Sequence, residues 1–136
     1  MDTQQIRCLL RSAREALKHS HSPYSEYPVG AAVLTEDGRT FTGTNIENSS
    51  YSLTICAERV AIFKAISEGA KRIIAVAVVC AKGHECMPCG ACRQVISEFS
   101  ADAQIAVEDS TGAPRVVPLT DLLPQAFSAK DLQKTV

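Results

Sequence analysis

The sequence predicts an α/β fold in which a mixed β-sheet carries helices on both faces. Three observations lead to this class. Amphipathic helical patterns alternate with strand patterns, an antiparallel hairpin precedes the second helix, and the run IIAVAVVC is apolar on both alternations. A strand of that kind is covered on both faces. Strands separated by helices are typical of sheets with helices packed on both sides.

Local patterns predict eight elements in chain order. They are expected at about residues 3–19 (helix), 29–34 and 39–44 (strands), 57–68 (helix), 73–80 (strand), 90–99 (helix), 104–108 (strand) and 120–123 (helix). Asp2 or Thr3 can cap the first helix, and Asp37-Gly38 is a strong turn signal for a hairpin. Gly69 is expected to end the second helix in a left-handed conformation. That helix is expected to bury Val60, Ala61, Phe63 and Ile66.

Length and composition restrict the function. A chain of 136 residues suits one domain, residues 1–136, which needs no disulfides to stay folded. Fourteen Lys and Arg against fifteen Asp and Glu leave a net charge of −1 without a basic block, so no polynucleotide partner is expected. Neither a signal peptide nor a membrane span is recognisable, so a cytoplasmic protein is expected. Thiols stay reduced there, which favours metal or catalytic roles for the six cysteines over disulfides.

Three cysteines stand at predicted helix starts. Cys89 and Cys92 are three residues apart where the 90–99 helix begins, and Cys56 precedes the 57–68 helix. The positive end of a helix dipole stabilises a thiolate over a thiol. Two helices aimed at one point would supply three thiolates to a zinc ion, which is the ligand number of a catalytic site that keeps a position for water.

The residues that follow Cys56 suggest what this water is for. Glu58 lies close to the expected metal without being an obvious ligand, so its carboxylate could take a proton from the water. Three thiolates against Zn²⁺ leave the site at −1, which weakens the metal as a Lewis acid. Arg59 could correct this by donating hydrogen bonds to the thiolates from outside the ligand shell.

The other cysteines leave alternatives open. Cys8 and Cys80 lie within apolar patterns and are interpreted as packing residues. Cys86 is ambiguous, because CMPCGAC also matches the first three ligands of an iron–sulfur motif. Ile96 stands where the fourth cysteine of that motif would fall, which disfavours a cluster. A structural zinc module for protein interactions would need a fourth protein ligand, such as Cys86.

The segments CAER and PCGACRQ resemble the zinc-dependent nucleoside deaminases, specifically the small homotetrameric cytidine deaminases, whose ligand signature includes a glutamate that does not bind zinc. SPYSEYPVGAAVLTEDG, TGTNIENSSYS and LTDLLPQAFS extend the resemblance over nearly the whole chain. It implies a three-layer α/β/α sandwich with a mixed five-stranded sheet. It also implies one zinc ion per chain and hydrolysis of cytidine and 2'-deoxycytidine to uridine and 2'-deoxyuridine with release of ammonia, in pyrimidine salvage.

Carried over residue by residue, the resemblance implies that Cys56, Cys89 and Cys92 bind zinc and that Glu58 carries protons. It implies substrate-binding roles for Tyr27, Asn45, Glu47, Ala57 and Phe127. Asn45 and Glu47 would hold the ribose hydroxyls and Tyr27 would line the pyrimidine pocket. Phe127 would reach the base from a neighbouring subunit of a homotetramer with shared active sites. Met87 departs from the small hydroxyl residue frequent before the proline.

A related deaminase of amino-pyrimidine antibiotics of the blasticidin S type is the main alternative. It would share the metal and the catalytic glutamate, but the NIE segment and the C-terminal phenylalanine are expected to differ there. Both are intact in this chain. The sequence therefore favours a small nucleoside as the partner of this site.

Overall fold

The computed structural model describes residues 1–81, 83 and 85–133. The helices are α1 (Thr3–Leu17), α2 (Ala57–Ser67), α3 (Gly90–Phe99) and α4 (Leu119–Leu122), and the strands are β1 (Val29–Thr35), β2 (Thr40–Thr44), β3 (Ile73–Cys80), β4 (Gln104–Glu108) and β5 (Pro114–Pro118). Short 3₁₀ helices cover Tyr51–Leu53 and Ala129–Leu132. In the described part of the chain, no helix combines the length and the apolar character that a membrane span requires.

The five strands form one mixed sheet in the order β2-β1-β3-β4-β5. β3 and β4 are parallel, and the other neighbouring pairs are antiparallel. In the centre of the sheet Ala32 of β1 pairs with Thr42 of β2 on one side and with Ala77 of β3 on the other. The predicted α/β class with a mixed five-stranded sheet is confirmed.

Alternate residues of the central strands enter two separate cores. On one face α1 packs Leu9, Leu10 and Ala13 against small strand residues, including Ala32 and Ala77. The opposite face carries α2 and α3 in a second core, whose strand members are Ala31, Val33, Val76, Val78, Ile105 and Val107. A strand with both alternations buried must be apolar throughout, as IIAVAVVC is. The helices therefore cover both faces of the sheet, as predicted.

Two glycines let the helices lie directly on the strands. A Cβ atom at Gly43 would lie 2.5 Å from the backbone nitrogen of Ala61 and 2.6 Å from the carbonyl oxygen of Ala57. At Gly30 it would lie 2.1 Å from the carbonyl oxygen of Ala13. All three distances are too short for any side chain. The contact at Gly43 fixes the first turns of α2, where Cys56 and Glu58 are located.

Some sequence-based expectations need correction. Phe63 is not buried but 46% exposed, because the buried stripe of α2 runs through Ala57, Ala61, Ile62 and Ala65 and leaves Val60 and Ile66 only half-buried. Cys8 is exposed on α1 and is not a packing residue. The individual patterns located four strands and missed β5, which has a proline at each end and an exposed Arg115 next to the first proline. Such a strand is tolerated only at a sheet edge.

Candidate active site

Three thiols meet where two helices begin. Cys56 is the N-cap of α2, Cys89 is the N-cap of α3, and Cys92 lies one turn into α3. Their sulfur atoms all lie within 4.8 Å of one another, and the Cys56 and Cys89 sulfurs are 3.8 Å apart. Tetrahedral zinc with Zn–S bonds of about 2.3 Å separates its sulfur ligands by about 3.8 Å. The spacing of the thiols therefore fits one zinc ion.

The electrostatics of the cluster favour a thiolate. The pKa of Cys56 is lowered to about 5, first because the Cys92 thiol donates a hydrogen bond to it and also because Arg59 lies beside it. Nη2 of Arg59 is 3.4 Å from the Cys56 sulfur. The pKa of Cys92 is raised, because its proton is held in the bond to Cys56 and the side chain is buried. A metal ion displaces such shared protons when it binds, since its ligands must be thiolates.

Glu58 lies beside this cluster in the first turn of α2. Its side chain is buried, with the residue 4% exposed. Burial, assisted by the negative charge of Cys56, raises the pKa of the Glu58 carboxyl to about 7. A carboxyl group with this pKa can both accept and release a proton near neutral pH, which suits a general acid–base.

A cavity of about 300 Å³ opens next to the thiols and Glu58. This is the lower end of the range for small-molecule sites. Tyr27, Asn45, Ala57, Cys86 and Met87 are among the residues that line it. The structure thus brings three of the five predicted substrate-binding residues to the same cavity as Cys56 and Cys89, two of the three candidate metal ligands.

Asn45 holds the backbone at the cavity wall in place. Its Oδ1 accepts hydrogen bonds from the Val29 amide at 2.9 Å and from the Ser20 hydroxyl at 2.5 Å. Its Nδ2 donates to the Tyr27 carbonyl oxygen at 2.8 Å. Asn45 is 9% exposed, so these bonds satisfy most of a nearly buried amide. One consequence is that the backbone beside the Tyr27 ring is fixed.

Glu47 lies in an adjoining cleft, which shares Thr54 with the main cavity. The Glu47 carboxylate accepts hydrogen bonds from the backbone amides of Tyr24 at 2.9 Å and Ser25 at 3.1 Å, and from the Ser25 hydroxyl. The Ser25 hydroxyl is the main reason why the pKa of Glu47 is lowered. No residue pattern pointed to Tyr24 and Ser25 as functional residues, although both lie in the segment SPYSEYP.

Phe127 is absent from the lining of the cavity and is 58% exposed. The Gln94 amide on α3 donates a hydrogen bond to the Phe127 carbonyl oxygen at 2.9 Å. The backbone of Phe127 is thereby tied to the helix that carries Cys89 and Cys92, while its ring remains accessible.

Cys80 and Cys86 form a disulfide, with their Cα atoms 6.2 Å apart. The expectation that the cysteines avoid disulfides is therefore wrong, as is the interpretation of Cys80 as a packing residue alone. Among the described residues the potential metal cluster contains only the three other thiols, so Cys86 is not a fourth ligand. The six-residue separation gave no signal for this pairing, because it depends on how the chain leaves β3 and returns to α3.

Comparisons with known proteins agree with this geometry. Residues 3–108 match the family model of the cytidine and deoxycytidylate deaminase zinc-binding region. A cytidine deaminase of Halalkalibacterium halodurans is 44% identical over 133 residues, which cover 97% of this chain and 98% of the relative. The crystal structure of cytidine deaminase from Burkholderia pseudomallei aligns with a TM-score of 0.84 at 40% identity, covering 93% of this chain and 100% of that chain. For cytidine deaminase from Mycobacterium tuberculosis the TM-score is 0.80 at 40% identity, with coverages of 93% and 98%.

The matched range includes Cys56, Glu58, Cys89 and Cys92, and the matched structures span nearly the whole fold. The three thiols have the spacing of zinc ligands, and the volume of the cavity beside them fits a small molecule. The chain therefore belongs to the cytidine and deoxycytidylate deaminase family and is a zinc-dependent deaminase.

Proposed function

We propose that residues 1–136 act as one catalytic domain that hydrolyses cytidine and 2'-deoxycytidine to uridine and 2'-deoxyuridine, with release of ammonia. The observation that carries this proposal is the buried Glu58, with a pKa of about 7, which lines one cavity together with Cys56 and Cys89 of the three-thiol cluster. The curated relatives that bear the name cytidine deaminase support it. Free nucleosides as substrates and thiolates as metal ligands both fit a reducing cytoplasm.

Cys56, Cys89 and Cys92 would hold the zinc ion. When bound, zinc supplies Lewis acidity and makes water a nucleophile near neutral pH. Arg59 donates a hydrogen bond to the Cys56 sulfur and so withdraws negative charge from the ligand set. Without that donor, three thiolates would leave the metal a weaker acid.

Glu58 moves the protons. Its carboxylate takes a proton from the attacking water and gives it to ring atom N3, which makes C4 of the base electrophilic. After hydroxide has added to C4, Glu58 takes the proton of the new C4 hydroxyl group and delivers it to the amine. The C4–N bond then breaks, ammonia leaves, and C4 becomes a carbonyl carbon. A group whose pKa is about 7 can serve both steps, since neither of its protonation states is strongly disfavoured.

The remaining roles concern binding. We assign the Tyr27 ring and Ala57 to the base pocket, which both line. The Glu47 carboxylate, held by the amides of Tyr24 and Ser25, would accept a hydrogen bond from a ribose hydroxyl. Asn45 would donate a hydrogen bond to a ribose hydroxyl. The donor would be the second N–H of its amide, since the first is bonded to the Tyr27 carbonyl oxygen.

The active unit would be a homotetramer, in which Phe127 covers the base in a neighbouring chain. Two observations support this: Phe127 is 58% exposed, and it does not line the cavity of its own chain. An aromatic contact to the base is worth about 0.5–1.5 kcal/mol beyond the area it buries. Other apolar side chains also remain exposed, such as Phe63 and Leu53, which assembly would cover.

The test is ammonia release by zinc-loaded protein from a panel of cytidine, 2'-deoxycytidine, cytosine, cytidine monophosphate and blasticidin S. Turnover is expected for the two nucleosides, with the other compounds slower. Exclusive turnover of blasticidin S would establish the antibiotic deaminase instead. If zinc binds at one ion per chain and no compound is hydrolysed, the site is structural and the proposal is wrong.

A further inference from the structure

The Cys80–Cys86 disulfide is not used by the proposed chemistry, yet it touches the substrate cavity. Cys80 is the last residue of β3, and Cys86 lies on the cavity wall three residues before Cys89. The Tyr27 hydroxyl oxygen lies 3.5 Å from the Cys86 sulfur, and Tyr27 lines the same cavity. A covalent link therefore joins the central strand to the wall that would face the base.

We propose that Cys80 and Cys86 form a reversible redox site, whose oxidised state fixes the substrate pocket and whose reduced state loosens it. In reducing compartments, the disulfides that do occur are usually transient and redox-sensing. The position of this pair, beside a binding cavity and not across the core, suits that use. The inference rests on the proposed function, because its effect is measured on cytidine.

The oxidant we assign is a low-molecular-weight disulfide, which reacts by thiol–disulfide exchange. Cys86 is half-buried on the cavity wall, whereas Cys80 is 3% exposed, so Cys86 is the residue that attacks. Its thiolate forms a bond to one sulfur of the reagent and expels the other as a thiolate. Cys80 then attacks the Cys86 sulfur and expels the second half. The two protons from the protein thiols end on the two reagent thiols, so the exchange balances.

We expect reduction of the Cys80–Cys86 disulfide to weaken substrate binding and to leave zinc binding unchanged. Without the link to β3, Cys86 and the Tyr27 hydroxyl lose a fixed contact, and the substrate must order both when it binds. The segment nearer the metal keeps its own anchor, because Nε of Arg93 donates to the Pro88 carbonyl oxygen at 2.7 Å. Glu85 also remains tied to Arg115 of β5 by an ion pair of 2.6 Å. The zinc ligand Cys89 therefore stays in position.

The experiment compares zinc-loaded wild-type protein in reduced glutathione and in glutathione disulfide. Peptide mapping after alkylation gives the state of the pair, metal analysis gives the zinc content, and ammonia release gives KM and kcat. We expect a KM for cytidine about two- to tenfold higher in the reduced protein, the range for one or two side chains ordered on binding. The zinc content and kcat are expected to be the same in both states.

Three variants make the assignment specific. Cys80→Ser and Cys86→Ser should each lose the redox response, and Cys80→Ser should keep the KM of the reduced wild type. Cys8→Ser is the matched control, because Cys8 is an exposed cysteine on α1, and it should retain the full response. The wild-type comparison needs no substitution, so it decides the matter even if a variant fails to fold.

The possible failures are distinguishable. If the zinc-loaded protein hydrolyses no nucleoside in either redox state, the proposed function is wrong. If it does, but no Cys80–Cys86 disulfide forms with glutathione disulfide, or KM is the same in both states, the redox site is refuted. A change in KM that follows loss of zinc would also refute it, since oxidation of the metal ligands would then be the cause.

Discussion

The metal centre, defined as Cys56, Cys89 and Cys92, is enclosed by residues of its own chain. The C-terminal segment around Phe127 is not, because Phe127 is largely exposed. The metal centre is built from two helix starts, and Arg59 and the buried Glu58 complete it within the same chain. The Phe127 ring is largely exposed. One chain thus brings the three thiols, Arg59 and Glu58 together, whereas the Phe127 ring contributes nothing to the cavity of its own chain.

Packing explains the difference. Behind Cys56, α2 is fixed by Ala61 against Gly43, and behind Cys92, α3 is fixed by the fully buried Ile96. Groups that carry chemistry are most effective when the surrounding core holds them in position. The C-terminal segment has a weaker support, the hydrogen bond from Gln94 to the Phe127 carbonyl oxygen. The following predictions test the two regions separately.

Cys89→Ala should have the largest effect, because it removes one of three zinc ligands. We expect a loss in metal affinity of more than about 100-fold, the upper range for losing a residue that only orients a ligand. Activity should disappear and the melting temperature should fall, since metal binding is coupled to folding. Metal analysis and thermal unfolding measure both effects. Cys8→Ala, at an exposed site, is the control, and zinc retention in Cys89→Ala would exclude the three-thiol centre.

Glu58→Gln should separate the chemistry from the structure of the metal centre. The amide keeps the shape of the side chain but cannot take up the proton, so turnover should fall by at least about 10²-fold. Zinc content and melting temperature should stay near those of the wild type. Glu47→Gln is the matched control, because it changes a carboxylate in the adjoining cleft and should raise KM more than it lowers kcat. If Glu58→Gln keeps activity within a few-fold of the wild type, another residue carries the proton.

Phe127→Ala should raise KM for cytidine by about two- to tenfold and leave the zinc in each chain, if the ring contacts a neighbour's substrate. The sharper test mixes this variant with Glu58→Gln. Some sites in mixed assemblies would then combine an intact Glu58 from one chain with an intact Phe127 from the next, so activity should exceed the sum of the two parents. An active wild-type monomer, or no gain despite demonstrated subunit exchange, would contradict the shared site.

The sequence predicted the parts of the molecule that depend on local patterns. Helix starts are local, so the positions of Cys56, Cys89 and Cys92 at the first turns of α2 and α3 could be read directly from spacing. The two-sided burial of β3 likewise followed from its unbroken apolar run. Resemblance to a family supplied the five-stranded count, and the structure confirms it.

Features that depend on the path of the chain could not be predicted in this way. The position of Phe63 in the helical pattern is compatible with burial, yet the side chain is exposed. How α2 is rotated where it packs on the sheet decides which of its residues are buried. Cys80 and Cys86 form a disulfide because the end of β3 and the segment that precedes α3 lie close together in the fold. The bonds from Tyr24 and Ser25 to Glu47 likewise join segments more than twenty residues apart.

Gln94→Ala should have the smallest effect and tests how the two regions are joined. Gln94 lies on α3, next along the chain after Arg93 and two residues from Cys92, yet its contact is with the Phe127 backbone. A single hydrogen bond near the surface contributes about 0.5 kcal/mol, so KM should rise by about two- to threefold while kcat and zinc stay constant. Glu98→Ala, at an exposed position of the same helix, is the control and should leave KM unchanged.

Gln94→Glu should be no better than the alanine variant, because a carboxylate cannot donate to a carbonyl oxygen. In the Phe127→Ala background the Gln94 effect should vanish, since the ring that it positions is gone. An equal KM effect in both backgrounds would mean that Gln94 acts through α3 itself. The metal centre and the C-terminal segment would then be independent.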